Sequence, residues 1–176
     1  MISCKPYKNA SPNHITQFFG ANPRPYQPNG HTGIDWVSTY GTFLVAPEKV
    51  IIRNIITPNK LLEDGSEAWR EKAQYGYGVV MESFNETGLF YMHWHCLPVF
   101  PVNIGDVVEQ CKPVAQMGNW GFVMSGGIYV PIQNRNKYPY PGTHLHYEKF
   151  REFGGTRQYL DPLKDIDWSI KIEFDV

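Results

Sequence analysis

The chain has 176 residues, a formal net charge of −1 at pH 7, 42% hydrophobic residues and 19% charged residues. This length fits one domain, and the composition excludes a disordered chain, a coiled coil and a collagen-like repeat. The near-neutral charge disfavours a protein that binds nucleic acid through bulk positive charge. No apolar run is long enough for a membrane span, and the first fifteen residues lack the hydrophobic core of a secretory signal.

The three cysteines (Cys4, Cys96 and Cys111) are an odd number and form no CxxC motif. They allow one disulfide at most. We expect three reduced thiols in a protein made in the cytosol.

Short β-branched and aromatic runs between turn residues predict a mainly β domain with long loops. In chain order, the strand-like segments are residues 15–20, 42–47, 49–56, 77–84, 89–95, 107–118 (interrupted at Pro113) and 144–150. The turn at 85–88 predicts a hairpin between two of them. Residues 57–75 predict an excursion with one or two helical turns, for which Ser66 is the candidate N-cap. No repeat or linker is evident, so we expect a single domain over residues 1–176.

Residues 119–143 are rich in Gly, Pro and Tyr and show no sustained periodicity. Irregular segments of this length are uncommon inside a domain and often serve function.

Five of the six histidines fall in three short contexts, namely His31-Thr-Gly-Ile-Asp35, His93-Trp-His95 and His144-Leu-His146. Because side chains alternate along a strand, the two histidines of each HxH pair are predicted to share a face. Glycines around His31 favour a turn that brings its imidazole to the Asp35 carboxylate.

Imidazole and carboxylate groups are suitable zinc ligands, and a catalytic zinc typically has three protein ligands and one open position. His31, Asp35 and one histidine of the 144/146 pair would supply such a set. The remaining histidines could move protons or stabilise an oxyanion. The alternative for each histidine is a structural ring that bonds to the backbone.

The ordered motifs resemble those of the lysostaphin/LytM-type zinc endopeptidases, which cut peptide bonds in bacterial peptidoglycan. The matching segments are residues 15–22, 30–36, 40–51, 77–81, 90–94, 102–119, 142–150 and 161–163. The resemblance covers about residues 15–165. It departs from the family at Cys111, at Trp120 and in extra residues that form an inserted loop at about 122–141.

The resemblance implies a compact antiparallel β-sheet domain with a groove, and a zinc ion held by His31, Asp35 and His146. It implies that His93 and His144 form the catalytic pair. The family lacks an HExxH motif, and so does this chain.

The inserted loop is expected to form one wall of the groove, where Tyr129, Tyr138 and Tyr140 are candidates for substrate binding. The alternative is ordinary packing of these rings within the loop. His95 has no counterpart that we can assign, and we expect a surface or supporting ring there.

The predicted function is therefore a zinc metalloendopeptidase that hydrolyses peptidoglycan cross-links. The alternatives are a catalytically silent scaffold or activator of the same fold, and a wall-binding domain that keeps zinc for structure. We expect peptidoglycan as the partner, no nucleic acid, no membrane and a monomer. The setting that we expect is a phage lysin or virion-associated enzyme made in the cytoplasm, or an extracellular enzyme if the sequence is a trimmed form of an exported one.

Overall fold

An antiparallel β-sheet dominates the computed structural model, which describes residues 2–25, 27–57, 76–135 and 137–174. The strands are β1 (Ile15–Gln17), β2 (Ile34–Trp36), β3 (Phe43–Val45), β4 (Val50–Ile56), β5 (Tyr77–Ser83), β6 (Leu89–Cys96), β7 (Val107–Val108), β8 (Pro113–Gln116), β9 (Met124–Ser125), β10 (Ile128–Tyr129), β11 (Leu145–Phe153) and β12 (Thr156–Leu160). Helical structure in the described residues comprises α1 (Ile132–Arg135) and two 3-10 turns, Pro12–His14 and Pro162–Asp165. None of these helices has the length and apolar character needed to cross a bilayer.

Within the described chain, eight strands form one sheet whose main order is β1-β2-β11-β6-β5-β4-β7. The long strand β11 organises its centre. One edge of β11 pairs with β6, and the other edge pairs first with β2 and then with β12. β3 and β8 form a separate pair, and β9 and β10 form a small hairpin.

The core lies on one face of this sheet. Inward residues of β2, β4, β5, β6 and β11 form it with residues of the β3–β8 pair, and Trp36, Leu44, Met81 and Tyr147 are among its largest buried side chains. Tyr7 and Ile166 bring the two terminal segments into the same cluster. The opposite face carries a smaller cluster of Val80, Met92, Trp94 and Phe150.

The mainly β, antiparallel class predicted from the sequence is confirmed, and so is the hairpin around residues 85–88, which joins β5 to β6. The segment 119–143 contains a two-stranded hairpin and the short α1, where the sequence shows no regular pattern. The predicted excursion and its Ser66 cap fall almost entirely at residues 58–75, outside the described residues.

The expectation of three reduced thiols is wrong. Cys4 and Cys111 form a disulfide, and Cys96 is a free, buried thiol. The sequence could not indicate this pairing because the two cysteines are 107 positions apart. Their meeting depends on the N-terminal segment packing beside Val45 and Ile172 in a third apolar cluster.

We predict that loss of this disulfide lowers the free energy of unfolding by about 2–5 kcal/mol, because the bond closes a long loop in the unfolded chain. Urea titrations of the oxidised protein, the reduced protein and the Cys4→Ser variant would measure it. The reduced protein and the variant should agree with each other. Equal midpoints for all three samples would contradict the prediction.

Candidate metal centre

Three polar side chains predicted as metal ligands meet on the face of the sheet opposite the core. Asp35 lies on β2, and the pairing of β2 with β11 sets it directly opposite His146. Such cross-strand partners have Cβ atoms about 4.5–5.5 Å apart. His31 enters from the turn before β2, four residues ahead of Asp35, as the HxxxD spacing predicts.

The donor atoms of these residues form a small triangle. His31 Nε2 lies 3.2 Å from Asp35 Oδ1, His146 Nδ1 lies 2.9 Å from the same oxygen, and the two nitrogens are 2.9 Å apart. A tetrahedral zinc with bonds of about 2.0–2.1 Å holds its ligand atoms about 3.3 Å apart. The triangle therefore fits zinc after shifts of a few tenths of an ångström. Across the described chain, these are the three side chains whose donor atoms form such a group.

All three donors line a groove-like cavity of about 780 Å³. The groove is also lined by residues of three other parts of the chain. These are Thr16, Gln17 and Gln27 near the N-terminus, Phe122, Met124 and residues 125–127 of the inserted loop, and Arg157 and Tyr159 of β12. A set of three protein donors that faces an open cavity has the form of a catalytic zinc site, since structural sites have four protein ligands.

Two further histidines, His95 and His144, line the same cavity, with their ring centroids 4.5 Å apart. His144 Nδ1 donates to the carbonyl of Gly142 over 2.8 Å, and His95 Nδ1 donates to the carbonyl of Trp120 over 2.7 Å. A carbonyl oxygen can only accept, so each Nδ1 carries the proton. Nε2 is therefore the basic nitrogen of each neutral ring.

A β-bulge aims His95 at the cavity. Trp94 pairs with Gly78 of β5, and Cys96 pairs with the adjacent Tyr77, which leaves His95 as the extra residue between them. Its φ of 62° lies in the left-handed region, which is uncommon for residues other than glycine. A bulge of this kind redirects a side chain to the other face of its strand, and bulges are over-represented near active sites.

The structure does not bring His93 to the groove. Its ring is fully buried on the core side of β6, 5.2 Å from the ring of Tyr147. Within the described chain, neither of its ring nitrogens has a hydrogen-bond partner. The prediction that His93 and His95 share a face is wrong because the bulge interrupts the alternation, and the position predicted for His93 is taken by His95.

Burial and the mutual contacts of these groups set their pKa values. Burial alone would raise the pKa of Asp35, but hydrogen bonds from His146 and His31 outweigh it and hold the pKa well below its ordinary value. Burial alone would lower the pKa of His146, whereas its bonds to Asp35 and Glu148 raise it to about 9. Burial is the main reason that the pKa values of His95 and His144 lie below the ordinary value, so both rings are neutral bases near pH 7.

The three tyrosines predicted to bind substrate do not line the cavity as the structure describes it. Tyr129 stacks on Phe122, Tyr140 stacks on Tyr40, and Tyr138 is 87% exposed. The inserted loop does form one wall, as expected, but through Phe122, Met124 and the turn of the β9–β10 hairpin.

Gly142 lies where the segment before His144 packs closely against Val123 and Val130, the residues that flank this hairpin. A Cβ at this position would lie 2.9 Å from a side-chain carbon of Val123, and its φ of 75° suits glycine. The same glycine accepts the bond from His144.

Comparison with solved structures shows what the fold is similar to. The LytU structure aligns with a TM-score of 0.59 and 21% identity over 85% of this chain and 81% of that chain. The catalytic domain of the antimicrobial peptidase lysostaphin from Staphylococcus simulans gives 0.56 and 18% over 85% and 89% of the two chains. The catalytic domain of the prophage-encoded M23 protein EnpA from Enterococcus faecalis gives 0.58 and 21% over 89% and 94%.

No protein-family model and no curated protein matches the sequence. The structural likeness establishes that the chain has the lysostaphin-type peptidase fold, as its motifs predict. At 16–21% identity this likeness establishes the fold alone, since one fold can carry different chemistries.

We predict that the protein binds about one zinc ion per chain and that His31→Ala and His146→Ala abolish this binding, since each removes one of three ligands. Metal analysis after dialysis against a weak chelator would measure the content. His14→Gln, a histidine outside the cavity, is the matched control. Retention of a full equivalent of zinc by both alanine variants would contradict the assignment.

Proposed function

We propose that this protein is a zinc-dependent endopeptidase that hydrolyses peptide bonds in the cross-links of bacterial peptidoglycan. The observation that carries the proposal is the arrangement of five residues along one groove. Three of them (His31, Asp35 and His146) form a donor set that is open to the groove. The other two, His95 and His144, present neutral imidazoles beside it.

This arrangement supplies the groups that peptide hydrolysis needs. When bound, zinc would lower the pKa of a water molecule and polarise a carbonyl group. Hydrolysis adds the hydroxyl of water to the carbonyl carbon, breaks the C–N bond and delivers a proton to the leaving amine. A base must take the proton from water, and an acid must give one to the nitrogen.

His95 and His144 are suited to this proton transfer. Each keeps an unprotonated Nε2, because its Nδ1–H is held by a backbone carbonyl. The same carbonyl bonds fix the orientation of each ring, so that little reorganisation is needed during the reaction. We assign the catalytic pair to these two residues, in place of His93 and His144.

The fold supports a peptide substrate. Relatives of this fold include an antimicrobial peptidase and a zinc-containing peptidase. The cavity of about 780 Å³ is of the size that is usual for ligand sites. It is lined by polar groups near the donor set and by Phe122 and Met124 of the inserted loop. This is the mixture of apolar walls and a few polar groups that is typical of ligand sites.

We also propose that the protein acts outside the reducing cytosol, on the wall itself. The Cys4–Cys111 disulfide supports this setting, because disulfides persist in oxidising compartments and are rare in the cytosol. The hypothesis of a phage lysin remains a prediction.

We predict that the zinc-loaded protein releases new amino groups from purified peptidoglycan, and that a chelator abolishes the release and added zinc restores it. Walls with glycine-rich bridges and walls with direct cross-links should both be tested, and mass spectrometry of the fragments would identify the bond. A zinc-loaded protein that cleaves neither wall type would contradict the proposal and favour a non-catalytic scaffold.

Substitution of the histidines separates catalysis from metal binding. His95→Ala and His144→Ala should lower the rate by about 10²–10⁴-fold and retain zinc, since they remove proton transfer and no ligand. The matched control is His93→Leu, which fills a similar buried volume. It should retain both zinc and activity, because removing unpaired buried nitrogens is not costly. Loss of activity in His93→Leu with normal folding would restore His93 to the catalytic pair.

A further inference from the structure

A buried carboxylate, that of Glu148, lies beside the donor set. Glu148 is only 4% exposed, and three side chains donate to it. Its Oε1 lies 3.0 Å from His146 Nε2 and 2.5 Å from Thr32 Oγ1, and its Oε2 accepts from Trp94 Nε1 over 3.3 Å.

Local structure brings these partners to one point. His146 and Glu148 are two residues apart on β11, so their side chains share the face of the sheet that carries the groove. Trp94 is the cross-strand partner of His146 on β6. Thr32 belongs to the turn between His31 and β2.

Gly33 allows that turn to approach β11 closely. A Cβ at this position would lie 2.3 Å from the carbonyl oxygen of Tyr147 and 3.1 Å from Cγ of Glu148. The glycine of the HTGID motif therefore has a packing role, which is to let Thr32 reach the carboxylate.

An ionised carboxylate accepts hydrogen bonds and cannot donate them. His146 Nε2 must therefore carry a proton where it contacts Glu148. The other ring nitrogen, Nδ1, is the one that points to Asp35 and His31. Glu148 thus favours the tautomer whose lone pair lies in the donor triangle, and it fixes the plane of the ring.

We propose that Glu148 is a positioning residue for the metal centre, which holds His146 in its metal-binding tautomer and orientation, and that Thr32 and Trp94 hold Glu148 in turn. This inference rests on the proposed function, because it assumes that His146 is a ligand. Glu148 is not itself a ligand or the catalytic base. Its carboxylate contacts the edge of the imidazole opposite the donor triangle and is bonded at both oxygens.

The free-energy cost of burying the Glu148 carboxylate is also offset by specific hydrogen bonds. Burying a carboxylate is costly unless it is hydrogen-bonded. The carboxylate of Glu148 accepts hydrogen bonds from three side chains, which belong to three separate elements. Substitution of a carboxylate that bonds to a metal-bound imidazole typically lowers metal affinity by about 10–100-fold.

The test measures zinc affinity and ring tautomer, independently of turnover. Glu148→Gln preserves the shape but replaces the obligatory acceptor with an amide that can present either an oxygen or an NH₂ group. We expect its dissociation constant for zinc, from competition with a chromophoric chelator, to rise about 10–100-fold. Two-dimensional ¹⁵N NMR of the zinc-loaded protein should show an Nε2–H tautomer for His146 in the wild type, and loss or exchange broadening of that signal in the variant.

A second variant keeps the test decisive if Glu148→Gln folds poorly, and a third serves as the control. Thr32→Val removes one donor to the carboxylate at nearly constant volume, and it should weaken zinc binding in the same direction by a smaller factor. Glu152→Gln is the matched control on the same strand, because Glu152 is exposed and bonds to Arg157 instead. It should leave zinc affinity unchanged.

The outcomes distinguish this inference from the proposed function. If the wild type binds no zinc, the metal centre itself is wrong and this inference fails with it. If the wild type binds zinc, but a folded Glu148→Gln or Thr32→Val protein binds it equally tightly with the same His146 tautomer, only the positioning role is overturned. Weakened binding in Glu148→Gln and Thr32→Val with an unchanged Glu152→Gln supports the proposal.

Discussion

The register of β2 against β11 is the constraint on which the candidate site depends. It sets Asp35 opposite His146, and the neighbouring register of β11 against β6 sets His146 opposite Trp94. The three side chains form one row across three adjacent strands. A slip of one residue would turn each of them to the other face of the sheet. The same pairing brings the turn before β2 against β11, so it also positions His31 among the donors and Thr32 beside Glu148.

The two faces of the sheet differ in what they contact, because one packs into the core and the other faces the groove. Along β11, Leu145 and Tyr147 enter the core while His146 and Glu148 face the groove. The core face holds the strands together through a large buried cluster. The opposite face holds the charged groups at short distances from one another. The bulge at His95 is the local exception, since it turns one residue of β6 out of alternation and adds a second neutral imidazole beside His144.

Much of this could be predicted from the sequence, and the failures have physical causes. The β class, the hairpin at residues 85–88 and the convergence of His31, Asp35 and His146 follow from local patterns and from the family resemblance. His93 lies in the core and not in the groove, which the sequence could not show because strict alternation along β6 cannot reveal a bulge that depends on the pairing of this strand with Gly78 and Tyr77. The sequence motifs do not single out Glu148, although its spacing of two from His146 signals a shared face, because its partner Thr32 lies 116 positions away. The Cys4–Cys111 bond likewise depends on how distant segments pack.

Anomalous diffraction at the zinc edge from crystals of the zinc-loaded protein would test the metal centre most directly. We expect one strong peak about 2.0–2.2 Å from His31 Nε2, Asp35 Oδ1 and His146 Nδ1, with its remaining coordination open to the groove. His95 and His144 should stand outside bonding distance. A peak bound by a fourth protein side chain would describe a closed structural site, and a peak elsewhere would remove the donor triangle as the metal centre. Either result would contradict an open zinc site formed by His31, Asp35 and His146.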